Sequence, residues 1–68
     1  MDSITIKDEF IKLGQAMKLA SMVYSGVDAK MVITEGQVKV NGEVCLQRGK
    51  KLYSGDVIEY NNQKVSIN

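Results

Sequence analysis

The 68-residue chain reads as an α+β domain, with two short helices packed on a small, twisted, mainly antiparallel sheet. Three observations predict this. The stretch from Ser25 to Gly42, SGVDAKMVITEGQVKVNG, spells a capped helix, a glycine stop, a strand and a tight turn. Upstream, Leu13, Ala16, Met17 and Ala20 fall at the i, i+3, i+4, i+7 spacing of an amphipathic helix. Downstream of Gly42, short β-prone runs are separated by turn residues.

In chain order, Ile4-Thr5-Ile6 is β-prone and predicts a short edge strand. The first helix follows from Leu13, with Gln15 and Lys18 projecting from the side opposite its apolar stripe. Met22-Val23-Tyr24 leads to Ser25, so the link between the helices is short and they should pack as a pair against the sheet. Ser25 with Asp28 fits a capping box, in which side chains satisfy free backbone donors at a helix start. Ala29, Val32 and Ile33 form the buried face of the second helix. Gly36 stands where that helix must stop, in the left-handed conformation that glycine reaches without a Cβ clash. Val38 and Val40 alternate with Gln37 and Lys39, the period of a half-buried strand. Asn41-Gly42 signals a type I′ hairpin turn, since both residues tolerate positive φ. A return strand is expected from Glu43 to Leu46, and Gln47 to Lys51 (QRGKK) is a polar loop too charged to bury. Leu52-Tyr53 re-enters the core, Ser54-Gly55-Asp56 turns the chain, and Val57 to Tyr60 forms another strand. Asn61-Asn62 makes a second hairpin turn, with Val65 and Ile67 on a final strand.

Composition bounds the function. A chain this short forms one domain, residues 1–68, and buries only about 60% of its unfolded surface. Hydrophobic content of 44% and charged content of 25% are ordinary for a globular protein. No apolar run approaches the roughly 20 residues needed to span a bilayer, and MDSITIKDEF lacks the basic start and apolar core of a signal peptide. The lone Cys45 has no partner for an internal disulfide. These features point to a reduced, cytoplasmic, monomeric protein with no membrane partner. Histidine is absent, which removes the imidazole base and the commonest metal ligand. One cysteine cannot build a thiolate zinc site, the acids form no motif-placed pair, and phosphate-loop glycine patterns are missing. No catalytic residue, metal, cofactor or small-molecule substrate is expected, and Cys45 reads as a small strand residue.

The net charge of +1 hides an uneven distribution. Residues 11–54 carry Lys12, Lys18, Lys30, Lys39, Arg48, Lys50 and Lys51 against Asp28, Glu35 and Glu43, a net +4. Residues 1–10 carry −2 and the tail after Ser54 carries −1. A basic middle between acidic ends suits a polyanionic partner as well as it suits an ordinary mixed surface.

The order Ser25, Ala29, Val32-Ile33, Gly36 and Val38-Lys39-Val40-Asn41-Gly42 resembles the S-four-type (αL) RNA-binding domain, named after a small-subunit ribosomal protein. Lys12-Leu13 stands where that family opens its first helix, and Gly55-Asp56-Val57-Ile58 resembles its closing turn. The motif core spans about residues 11–58, and the whole chain looks most like the short, stand-alone bacterial members of the YaaA/YbcJ type. Two residues depart from the pattern: Gly26 replaces the usual Arg, and Gly14 replaces an acidic helix cap. The resemblance implies binding of structured RNA, above all ribosomal RNA, with a role in ribosome assembly or association. It places Lys12, Lys30, Arg48, Lys50 and Lys51 on one basic surface, where they would contact phosphates and release counterions. Backbone amides at Ser25-Gly26 could hold a further phosphate. Asn41 has two readings, a contact to the RNA backbone or a turn residue that tolerates φ > 0. Lys18 and Lys39 read as solvated. The four aromatics, Phe10, Tyr24, Tyr53 and Tyr60, show no spacing suited to a single-strand stacking platform. The rival reading is a small β-grasp-like protein-interaction adaptor without RNA affinity, although the ending Val-Ser-Ile-Asn lacks the Gly-Gly of sulfur carriers.

Overall fold

The computed structural model describes residues 2–68. Its elements are β1 (Asp2–Ile4), β2 (Ile11–Lys12), α1 (Leu13–Leu19), α2 (Gly26–Thr34), β3 (Lys39–Val40), β4 (Glu43–Val44), β5 (Lys51–Leu52), β6 (Val57–Tyr60) and β7 (Gln63–Ile67). Five strands form one sheet in the order β1-β7-β6-β3-β4, and β2 pairs with β5 in a separate two-stranded sheet. Every pairing is antiparallel except β1 with β7. The α+β architecture read from the sequence is the one observed. Leu13, Ala16 and Met17 from α1 and Ala29 and Ile33 from α2 share one core with Val38, Val40, Leu52, Ile58 and Ile67. Burying the larger of these side chains contributes roughly 1.5–3 kcal/mol each.

Helix α2 is closed by its own neighbours. The Ser25 hydroxyl accepts a hydrogen bond from the Asp28 amide at 3.2 Å. At the other end Gly36 sits at φ +79°. Its amide donates to the Ile33 carbonyl and the Gln37 amide to the Val32 carbonyl, both at 3.1 Å. This is a Schellman stop, which satisfies carbonyls that the helix leaves free. Helix α1 has no side-chain cap at its start, Lys12. Its first amides find partners far along the chain instead: Leu13 donates to the Lys50 carbonyl at 2.9 Å and Gly14 to the Arg48 carbonyl at 3.0 Å. Both expected hairpin turns form, with Asn41, Gly42, Asn61 and Asn62 all at positive φ. The strand pairs Val40–Glu43 and Tyr60–Gln63 flank them.

Some expectations shift. The edge strand begins at Asp2 rather than Ile4 and runs parallel to β7, with Ile4 and Ile6 continuing the ladder to Asn68. Ala20 caps α1 rather than completing its buried stripe. The return strand ends at Val44, and Leu46 is exposed. Of Leu52-Tyr53 only Leu52 enters the core, while Tyr53 stays 44% exposed and leans on Phe10 with ring centroids 6.1 Å apart.

Candidate nucleic-acid interface

The polar loop 47–50 brings α1 and α2 together on the surface. Because its carbonyls cap α1, its backbone lies against the first turn of that helix. The Arg48 side chain then crosses Gly14 so closely that a Cβ at Gly14 would stand 2.6 Å from Arg48 Cγ. Its Nη1 reaches the Gly26 carbonyl at the start of α2, donating over 3.5 Å. Around this crossing lies a depression of about 260 Å³ lined by Lys12, Gly14, Lys18, Gly26, Arg48 and Gly49. Glycine at 14 is what lets the Arg48 side chain pass this close; at Gly26 a Cβ would stand 4.0 Å from Nη1, an ordinary contact.

Of the other cations, Lys12 and Lys18 line the same depression. Lys12 and Lys51 are direct cross-strand partners in the β2–β5 ribbon. Like charges directly opposite one another on a sheet repel. The Lys51 ammonium also lies 4.7 Å from the centre of the Phe10 ring, an arrangement worth about 0.5–1 kcal/mol at an exposed site. Lys30 is one turn beyond Gly26 on α2, and residues four apart share a helical face. Lys12, Lys30, Arg48, Lys50 and Lys51 are all exposed.

Asn41 is committed elsewhere. Its amide nitrogen donates to Asp56 Oδ1 at 3.0 Å, and its Oδ1 accepts from the Val57 amide at 2.9 Å. The side chain therefore ties the β3–β4 hairpin to the turn before β6, and of its two readings the structural one has the contacts. Asp56 also accepts from the Tyr53 amide at 2.7 Å. That backbone bond, then the Asn41 bond, with a smaller part from the Lys50 charge, hold its carboxyl below the usual carboxylate range against a partial desolvation.

Lys18, read from the sequence as a solvated residue, is exposed and also lines the basic depression. The available signal was its spacing, four residues after Gly14 and so on the same face of α1. Cys45 is half-buried, with its Sγ 3.6 Å from the Gln47 carbonyl oxygen. Among the described residues no group of three or more metal-ligating side chains exists, and no helix is long and apolar enough to cross a membrane.

The S4 domain model matches residues 4–68. The probable ribosome maturation protein RlbA of Bacillus subtilis is 50% identical over 56 residues, covering 82% of this chain and 79% of that protein. YbcJ of Escherichia coli is 33% identical over 61 residues, covering 90% of this chain and 87% of that one. The solution structure of YbcJ, described as revealing an αL motif involved in RNA binding, superposes with a TM-score of 0.75 at 31% identity, covering 98% of this chain and 86% of that one. The ribosomal protein S4e of Thermoplasma acidophilum shares the fold, with a TM-score of 0.63 at 24% identity over 85% of this chain and 31% of its own. A family match over nearly the whole length, joined to these relatives, establishes that the chain belongs to the S4 domain family.

Proposed function

We propose that this chain is a single-domain, monomeric RNA-binding module that recognises structured RNA, ribosomal RNA in particular, during ribosome maturation. One observation carries the reading: Arg48 spans the starts of α1 and α2, with Lys12 and Lys18 around the same depression. Lys30, Lys50 and Lys51 widen this into a surface fit for the phosphates of folded RNA, which is read by shape more than by base edges. Arg48 is the centre because a guanidinium can bind two phosphate oxygens at once. It also places a guanidinium over Gly26, where the family pattern carries an Arg. RlbA, a ribosome maturation protein by name, and YbcJ, with its RNA-binding motif, support the same direction. The module works in the cytoplasm by binding alone, with no catalytic step, cofactor or metal.

The test is a salt titration on ribosomal RNA fragments. Replacing Arg48, Lys50 and Lys51 together by Ala should make the slope of log affinity against log salt shallower by about 2–3. Replacing Lys12 and Lys18 should lower it by about 1–2. Circular dichroism should show folded protein throughout, because exposed substitutions usually shift stability by less than about 0.5 kcal/mol each. Identical slopes in all three proteins would refute the basic-surface reading and favour a protein adaptor.

A further inference from the structure

A groove of about 620 Å³ runs beside the basic depression, between α1 and the segment joining β1 to β2. Its walls include the apolar side chains of Ile6, Phe10, Ile11 and Leu19, and its edge on α1 is formed by Gln15 and Lys18. Gln15 and Lys18 also line the basic depression, so the two recesses share a wall. Phe10 links them a second time, since Lys51 of the basic surface stands against its ring. Leu19 is 59% exposed although it ends a helix whose other large apolar residues are fully buried. The groove's volume falls within the range of roughly 300–1,000 Å³ typical of sites for small organic groups.

From this juxtaposition we infer that the groove receives the base of one unpaired nucleotide, extruded from a structured RNA whose phosphates lie on the adjoining basic surface. The inference rests on the RNA-binding reading and extends it from the backbone to a base. An aromatic wall and aliphatic neighbours suit the face of a nucleobase, which stacks on apolar and aromatic side chains. Lys18, on the shared wall, faces the phosphates on either side of that nucleotide. A flat base also matches the chemistry better than an aliphatic ligand would, because Asp8, Thr5 and Gln15 around the groove supply acceptors and donors for its edge. A fully paired helix keeps its bases stacked inside and leaves the groove empty, so the target should be a bulge, a loop or a helix junction.

The experiment compares three RNA hairpins of one sequence: fully paired, with a single-nucleotide bulge, and with an abasic bulge that keeps the phosphate and loses the base. The wild-type chain should bind the bulged hairpin at least about fivefold tighter than the abasic one, the lower end of what a stacked base contributes. Their salt slopes should be equal, because the base releases no counterion. A 2-aminopurine in the bulge should change its fluorescence on binding. Leu19→Ser and Thr5→Ala, both at exposed positions that line the groove and not the basic depression, should remove the preference for the base while leaving the abasic affinity and the salt slope unchanged. Equal affinity for all three hairpins with the salt slope retained would overturn the groove inference and leave the basic surface standing. A preference that survives both substitutions would put the base elsewhere and overturn it too. Absence of salt-dependent binding to any hairpin would overturn both readings together.

Discussion

Replacing Gly14 by Ala should separate folding from binding. An added Cβ would lie 2.6 Å from Arg48 Cγ and 3.2 Å from Cδ, whereas ordinary contacts start near 3.4 Å. The Arg48 carbonyl oxygen is 3.7 Å away and meets no clash, so the capping bond to the residue-14 amide stays in place. The side chain must yield, by about 1 Å or by leaving its rotamer, at about 0.5–1.5 kcal/mol. Against this, Ala in a helix is favoured over Gly by roughly 0.5–1 kcal/mol. Net stability should therefore change by less than about 1 kcal/mol. The guanidinium is displaced from the helix starts, and losing a charged hydrogen bond of about 1.5–3 kcal/mol weakens RNA binding roughly 10- to 150-fold. In an Arg48→Ala background no Cγ remains to clash. There Gly14→Ala should raise Tm by about 2–8 °C and leave affinity unchanged. Thermal melts and affinity titrations on the four proteins complete this cycle. Wild-type RNA binding by Gly14→Ala alongside weakened binding by Arg48→Ala, or equal weakening by Gly14→Ala in both backgrounds, would refute the displacement of Arg48 by the added Cβ.

Two other substitutions probe the frame around the site. Gly36→Val should destabilise the fold by more than about 1 kcal/mol, because a β-branched residue resists φ +79° at the Schellman stop; an unchanged urea midpoint would contradict that account. Asp56 contributes stability that is fully present above its unfolded pKa, near 3.8, and is lost as pH falls through its lower folded value. Asp56→Asn should accordingly flatten the fall in Tm between about pH 5 and pH 2, and an unaltered acid profile would assign that fall to other groups.

Much of the fold was legible because it is specified locally. Ser25, Gly36 and the Asn41-Gly42 and Asn61-Asn62 pairs each act within a few residues, and each does what its chemistry predicts. What escaped depends on residues far apart. The β2–β5 ribbon has two residues per strand, too few for any period to show. The capping of α1 uses backbone carbonyls of the loop, which carry no side-chain signature. Asn41 looked available for RNA because Asp56, fifteen positions on, is not a visible partner in a linear pattern. That the exposed Lys18 borders a basic depression was hidden because the depression exists only once Arg48 has crossed Gly14. Lys12 and Arg48 could be named from the sequence, but not the crossing of Arg48 over Gly14 to Gly26 that sets them beside one depression.

The unequal closure of the two helices also sets an order of assembly. Isolated helices of fewer than about 12–15 residues are marginal in water, and α1 has seven residues and α2 nine. Helix α2 carries both of its stops within the stretch from Ser25 to Gln37 and adjoins a hairpin with a tight turn, so its contacts close short loops. Helix α1 cannot satisfy its first amides until the loop of Arg48 and Lys50 arrives, a long closure that local segments precede. The nucleus is expected in α2 and the β3–β4 hairpin, with α1 docking late; Ala29→Gly should give a high φ-value and Ala16→Gly a low one, and the reverse would place the nucleus elsewhere. In that order, Arg48 is expected to reach its post between the helices in the last step. A partly folded chain therefore offers RNA scattered lysines, and the organised surface comes into being with the native state.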